Sequence, residues 1–105
     1  MSNDADRVFD SLASAPRRQI LTFLSQTALS TTDLAARFTM SAPAMSRHLA
    51  VLAGAGLVSG ERQGQRVLYR LNRDVLLDAL ARFASAVDGP LRREAQAARV
   101  PREAL

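Results

Sequence analysis

The sequence contains no cysteine, no tryptophan and no lysine, and its single histidine is His48. Without thiols the chain has no disulfides, no thiolate metal ligands and no thiol redox sensor of its own. No apolar run approaches the length of a membrane span, about 18 residues, and the first residues lack the basic and apolar regions of a signal peptide. We therefore expect a cytoplasmic protein that does not contact a membrane.

Catalytic patterns are missing as well. No pair of catalytic carboxylates and no nucleophile with a base beside it can be found, and the glycines stand alone rather than in a phosphate-cradling loop. The sequence predicts neither an enzyme nor a bound cofactor.

The length of 105 residues predicts one compact domain with a modest core, to which a dimer interface would add. We place this domain at residues 1–89. Residues 90–105 are rich in alanine and charge and are predicted to be a frayed helix or a disordered tail.

Three short helices are predicted in the N-terminal third. The first covers residues 5–12. The second begins with Ser14 as its cap and Pro16 in its first turn. The third begins at Ser30, because Ser30 and Asp33 have the spacing of a capping box.

The segment from Ser41 to Val58 predicts a capped helix that feeds a hairpin. Met45, Leu49 and Leu52 recur at helical spacing and form a buried stripe. The opposite face is small, polar and basic, and its members are Pro43, Ser46, Arg47 and Ala50. Such a face fits a DNA major groove about 12 Å wide, although an ordinary surface helix has the same pattern. With the preceding helix it forms a helix-turn-helix.

Two strand-like runs, 57–63 and 66–71, are joined at Gly64, which supplies the positive φ of a tight turn. Arg66 and Arg70 alternate with apolar residues in the second run, and Arg62 lies across the turn from Arg66. These arginines fit a phosphate-binding wing, whereas the alternative is a charged hairpin edge that stays soluble. Residues 41–70 hold four arginines against Glu61, which is +3 of the chain's net charge of +4. That concentration is typical of a nucleic-acid-binding face.

A last helix is predicted over residues 73–88, capped by Asn72 and ended by Gly89 and Pro90. Its apolar stripe is long and wide, so that we expect it to serve a dimer as well as the domain's own core. Coverage of that core alone is the alternative. The predicted dimer interface consists of Val8, Phe9, Leu76, Leu80, Phe83 and Val87.

This order of helices and hairpin resembles the ArsR-type (ArsR/SmtB-like) winged helix-turn-helix repressors of bacteria. The resemblance runs from about Val8 to about Val87. It is carried by residues 12–24, 33–38, 41–49, 55–58 and 64–71 together with Leu52. It implies a mainly α fold of the order α-α-α-α-β-β-α, a homodimer built through the first and last helices, a recognition helix in each of two major grooves, and a wing beside the phosphate backbone.

Many members of that family sense metals through cysteines or through histidine and carboxylate clusters on the last helix. This chain departs from both patterns, since its last helix offers Asp74, Asp78 and Asp88 without any histidine. Zinc and similar metals prefer nitrogen or sulfur ligands, so no metal site is predicted. We expect His48, on the flank of the recognition helix, to pack or to contact the DNA backbone.

The sequence thus predicts a homodimeric regulator that binds double-stranded DNA, most simply a repressor of an inverted-repeat operator. Its predicted DNA-binding residues are Ser41, Pro43, Ser46, Arg47, His48, Ala50, Arg62, Gln65, Arg66 and Arg70. Of these, Arg47 is expected to read a base edge, while Arg62, Arg66 and Arg70 hold phosphates. The alternative is a winged-helix protein-interaction module without DNA binding. For the inducing signal, a small molecule, a partner protein and simple autoregulation all stay open.

Overall fold

The computed structural model describes residues 4–89, and the predicted tail at 90–105 lies outside these residues. In chain order the elements are α1 (Asp4–Leu12), α2 (Ala15–Leu24), β1 (Leu29–Ser30), α3 (Thr31–Phe38), α4 (Ala42–Gly54), β2 (Val58–Gln63), β3 (Arg66–Leu71) and α5 (Arg73–Asp88). The predicted winged helix-turn-helix is confirmed.

Three serines begin helices, as predicted. Ser14, Ser30 and Ser41 each accept a hydrogen bond from the backbone N–H three residues further along. At Ser30 the bond is reciprocal, because the Asp33 carboxylate accepts from the Ser30 N–H at 3.5 Å. Each such cap stabilises its helix by about 1 kcal/mol. The three caps fix where α2, α3 and α4 begin.

The predicted cap of the last helix is wrong in its chemistry. Asn72 occupies the N-cap position of α5, but its side chain makes no capping hydrogen bond. Instead the amide nitrogen donates to the Gly56 carbonyl and to the Ser59 hydroxyl oxygen. Asn72 therefore connects α5 to the loop after α4 and to the base of the hairpin.

A short third strand was not predicted. The sheet has the order β1-β3-β2, and its strands are antiparallel throughout. Leu29 pairs with Tyr69 and Ser30 pairs with Leu68. A strand of two residues has no periodicity of its own, so that only its pairing with β3 reveals it. The hairpin turn lies at Gly64, whose φ is +65°, as the sequence predicted.

One hydrophobic core joins the helices to the base of the hairpin. The most deeply buried apolar side chains belong to α1, α2, α3, α4 and the start of the hairpin: Val8, Ile20, Leu34, Met45, Leu49, Leu52 and Leu57. In α5, only Ala79 is buried. The last helix therefore lies on the edge of the core and leaves most of its apolar stripe uncovered.

Candidate nucleic-acid interface

The exposed face of α4 is the centre of the candidate interface. Met45, Leu49 and Leu52 are fully buried at 0% exposure and fix the helix to the core. The opposite side chains are exposed, as the spacing predicted: Pro43, Ser46, Arg47 and Ala50. Arg47 has no hydrogen-bond or ion-pair partner within residues 4–89, so its guanidinium is available to a ligand. His48 is half-buried on the flank of the helix.

A tight turn sets α4 against α3. Thr39 ends α3 in the left-handed region with φ of 51°, a conformation that β-branched residues adopt at a cost. The Met40 N–H donates to the Ala35 carbonyl at 3.3 Å and closes this turn. Ser41 then caps α4 without an intervening loop. The two helices thus form the rigid helix-turn-helix that presents the exposed face of α4.

The hairpin formed by β2 and β3 is the candidate wing. Gly60 lies opposite Tyr69, and a Cβ at Gly60 would approach the Tyr69 ring to 3.0 Å, so that glycine lets this ring cross the neighbouring strand. Beyond that point, every residue from 61 to 66 is exposed. Gln65 lies in the turn at the end of the wing. The wing is therefore an exposed projection on a half-buried base.

The three wing arginines differ in their partners. Arg62 has no hydrogen-bond or ion-pair partner in the part of the chain that the structure describes. The Arg70 Nε lies 4.0 Å from Glu61 Oε2, and both side chains are largely exposed. Exposed pairs of this kind contribute little energy, so a phosphate would readily replace the Glu61 carboxylate. Arg62 and Arg70 are both open to an anionic ligand.

Arg66 is not open in this way. Its Nη2 donates to Asp33 Oδ2 at 2.9 Å and to Ser30 Oγ at 3.0 Å. Hydrogen bonding to the Ser30 side chain is the main cause that lowers the pKa of Asp33, and the Ser30 N–H, Arg66 and Arg37 act in the same direction. The spacing of Ser30 and Asp33 predicts the capping box but not the arginine that joins it, because residues 33 and 66 are distant in sequence.

A second exposed surface lies on α5. Leu80, Phe83 and Val87 are 41%, 58% and 61% exposed, and Leu76 is half-buried. The Phe83 ring meets the Phe9 ring edge to face, with centroids 5.3 Å apart, so that α1 packs beside α5 as expected. Val8, which was predicted to lie in the interface, is only 2% exposed and packs in the protomer's own core.

Comparisons with known proteins agree with this geometry. Residues 15–59 match a family model described as bacterial regulatory protein, arsR family. The chain is 36% identical over 75 residues to the transcriptional repressor SdpR of Bacillus subtilis, in an alignment that covers 71% of this chain and 83% of SdpR. The chain belongs to the ArsR family.

Solved structures of similar proteins have the same fold. An ArsR-like transcriptional regulator from Rhodococcus sp. RHA1 superposes with a TM-score of 0.78 at 29% identity, covering 91% of this chain and 90% of that one. The homodimeric winged helix-turn-helix DNA-binding domain of Mb0332 from Mycobacterium bovis superposes with a TM-score of 0.68 at 30% identity, covering 81% and 80%. This ArsR-family chain is thus a transcriptional regulator with a winged helix-turn-helix DNA-binding fold.

Within residues 4–89, no three or more His, Cys, Asp or Glu side chains lie together in a way that could hold a metal ion. Asp78 of α5 is instead paired with Arg82 at 2.8 Å. None of the helices in the same range is long and apolar enough to cross a membrane.

Proposed function

We propose that this ArsR-family chain is a homodimeric transcriptional repressor of an operator with inverted-repeat symmetry. Each protomer places the exposed face of α4 in one major groove and its wing beside the adjacent phosphates. The repressor responds neither to metals nor to thiol oxidants. The observation that carries the proposal is the exposed, unpartnered Arg47 at the centre of a small-residue helix face, next to a wing with open arginines.

The exposed face of α4 and the wing would make different kinds of contact with DNA. The side chains around Arg47 are short, so the backbone of α4 can come close to the bases and let one guanidinium reach a base edge. A bidentate pair between arginine and guanine is the commonest contact of this kind. On the wing, Arg62 and Arg70 supply phosphate contacts, which add affinity without reading sequence.

Two-fold symmetry follows from the size of the reading surface and from α5. One α4 helix covers a single half-site, and two half-sites in successive major grooves lie about 34–36 Å apart. An isologous contact between α5 helices fixes that distance. The exposed Leu80, Phe83 and Val87 provide the apolar surface for it. The homodimeric state of the Mb0332 domain supports this assembly, and the repressor activity of SdpR supports repression.

Insensitivity to oxidants and metals rests on side-chain chemistry. The chain has no cysteine. The aspartates of α5 offer only oxygen ligands, whereas zinc prefers nitrogen or sulfur ligands.

The test is selection of bound duplexes from a random DNA library, followed by affinity measurements at several salt concentrations. We expect an enriched inverted repeat and a binding constant that falls steeply with salt, because each neutralised phosphate releases counterions. A control variant, Arg18→Ala, removes a positive charge outside the proposed interface and should leave the salt dependence unchanged. Arg18 lies on α2 and donates to the Leu12 carbonyl. Absence of any salt-dependent DNA binding by the folded chain would favour a protein-interaction module instead.

A further inference from the structure

The course of the sheet brings Arg66 to the start of α3. β1 ends at Ser30, opposite Leu68 of the central strand β3. In an antiparallel pair, the chain that continues past Ser30 runs alongside the residues that precede Leu68. The first turn of α3 therefore lies beside Arg66.

The guanidinium of Arg66 is engaged by the capping box of that turn. One nitrogen, Nη2, donates to Asp33 Oδ2 at 2.9 Å and to Ser30 Oγ at 3.0 Å. Ser30 is only 2% exposed and is fixed by the β1 pairing and by its own cap bond to the Asp33 N–H. The contact thus reaches from an exposed strand end to a rigid, buried hydroxyl.

This contact also joins the outer part of the wing, residues 61–66, to the body of the protein. Within residues 4–89, Arg66 is the member of segment 61–66 whose side chain bonds to residues outside the hairpin. The other side-chain contact of that segment, from Glu61 to Arg70, stays within the hairpin. All residues of the segment are exposed, so no buried side chain restrains it.

The stability that this ion pair contributes is too small to explain why Arg66 and Asp33 lie together. The side chains of Arg66 and Asp33 are 64% and 42% exposed, and pairs in that environment stabilise a fold weakly. A cation beside a helix N-terminus is also disfavoured by the helix dipole unless a carboxylate offsets it. The pair does join the outer end of the hairpin to the first turn of α3.

We propose that Arg66 is a positioning residue for DNA binding: through Asp33 and Ser30 it holds the outer part of the wing against α3, so that Arg62 is in place to meet a phosphate. Arg66 itself does not hold a phosphate. This inference rests on the proposed DNA-binding function, but one arm of its test needs no DNA.

The first arm measures amide hydrogen exchange of residues 61–67 in the free protein. Arg66→Gln removes the guanidinium, and Asp33→Asn removes the charge while keeping an oxygen that can accept from the Ser30 N–H. We expect both variants to speed exchange in the wing about fivefold or more, since a locally released segment opens more often. The controls Arg62→Gln and Glu61→Gln change charges in the same wing without touching the contact. Unchanged exchange in both variants would show that the wing does not depend on Arg66.

The second arm measures operator affinity against salt concentration. Arg66→Gln and Asp33→Asn should weaken binding by the same factor, about fivefold to tenfold, and the double variant should be no weaker, because both remove one interaction. The slope of log affinity against log salt should stay unchanged in both, because the released wing still makes its phosphate contacts in the complex and only the cost of ordering it there is added. Arg62→Gln, which removes a proposed phosphate contact, should lower that slope by about one unit.

A phosphate contact by Arg66 predicts the opposite pattern. Arg66→Gln would then lower the slope by about one unit, and Asp33→Asn would tighten binding more than the charge control Glu61→Gln does. That pattern would overturn the proposal. Asp33→Glu retains a carboxylate suited to the capping box and should rescue both affinity and wing protection. If the unaltered chain binds no DNA, the proposed function fails, while the exchange arm still decides whether Arg66 holds the wing.

Discussion

The side-chain amide of Asn72 donates to the Gly56 carbonyl at 2.9 Å and also pairs with the Ser59 hydroxyl. The Asn72 N–H donates to the Leu57 carbonyl at 2.8 Å. The residue directly before α5 is thereby bonded to the loop that follows α4 and to the base of the wing. Asn72 thus joins the start of α5, which carries the proposed dimer face, to the segment that follows α4, which carries the proposed DNA-reading face.

Replacement of Asn72 by Asp separates this connecting role from helix capping. Asp is as good an N-cap as Asn, but it has no N–H to donate and places a carboxylate against the Gly56 carbonyl. We expect Asn72→Asp to lower the free energy of unfolding by about 1–2 kcal/mol, through the lost hydrogen bond and the repulsion between acceptors. Denaturant titration of both proteins measures it. Equal or greater stability of Asn72→Asp would show that the hydrogen bonds donated by the Asn72 amide do not stabilise the fold.

Arg47 and Arg62 should differ in the kind of DNA binding that they support. Arg47→Ala should cost about 1–3 kcal/mol on the selected operator and little on random DNA, because a base contact is lost. Arg62→Ala should weaken binding to both DNAs by similar factors, because a phosphate contact carries no sequence information. Fluorescence anisotropy with the two duplexes measures both. An equal loss on both duplexes for Arg47→Ala would remove its proposed base-reading role.

Local chemistry made much of this fold predictable. Ser14, Ser30 and Ser41 predict where helices begin, because their caps involve residues only three positions away. Gly64 predicts the hairpin turn. The exposed face of α4 followed from helical spacing alone. Local patterns therefore suffice where both partners of an interaction are close in sequence.

Three of the missed features involve partners that are far apart in sequence. β1 exists only through its pairing with β3, and Asp33 meets Arg66 only because that pairing sets the register. Asn72 has the sequence pattern of a cap, but the fold offers its amide a carbonyl from residue 56 instead. Long-range pairings of this kind leave no periodicity in the sequence, so that the structure alone reveals them.

The depressed pKa of Asp33 predicts a pH dependence of the α3 cap and of the wing contact. A carboxyl group whose pKa is lower in the folded state than its ordinary value of 3.8 stabilises the fold above that value. This contribution is lost as the pH falls through the folded pKa. We expect the difference in Tm between the unaltered protein and Asp33→Asn to be constant from about pH 7 to 5 and to shrink below about pH 4. A difference that does not change with pH would assign the effect of the substitution to geometry rather than charge.

Metals and oxidants should leave operator binding unchanged. The chain has no thiol to oxidise, and residues 4–89 contain no cluster that could hold a metal ion. Affinity measured with chelator, with zinc and with peroxide should agree within error. Stoichiometric zinc binding tighter than micromolar that releases the DNA would contradict this expectation.

The last prediction concerns the exposed apolar face of α5. Phe83 is 58% exposed although its ring touches Phe9, so a partner protomer can cover its outer side. Phe83→Glu should place a charge in the dimer interface, where burial without a partner is costly. We expect a largely monomeric protein whose operator affinity falls to that of a single half-site. Sedimentation velocity and DNA binding of the same preparation measure the two effects.

The matched control for this prediction is Ser85→Glu, which adds the same charge to the same helix. Ser85 is two residues beyond Phe83, so it projects from nearly the opposite side of α5 and should leave the dimer intact. Circular dichroism of both variants establishes that α5 still forms. Two outcomes would show that α5 covers only the core of its own chain. One is a Phe83→Glu variant that stays dimeric and binds the operator with unchanged affinity, and the other is an unaltered chain that is monomeric at tens of micromolar. The two recognition helices would then need another surface to set their separation of about 34–36 Å.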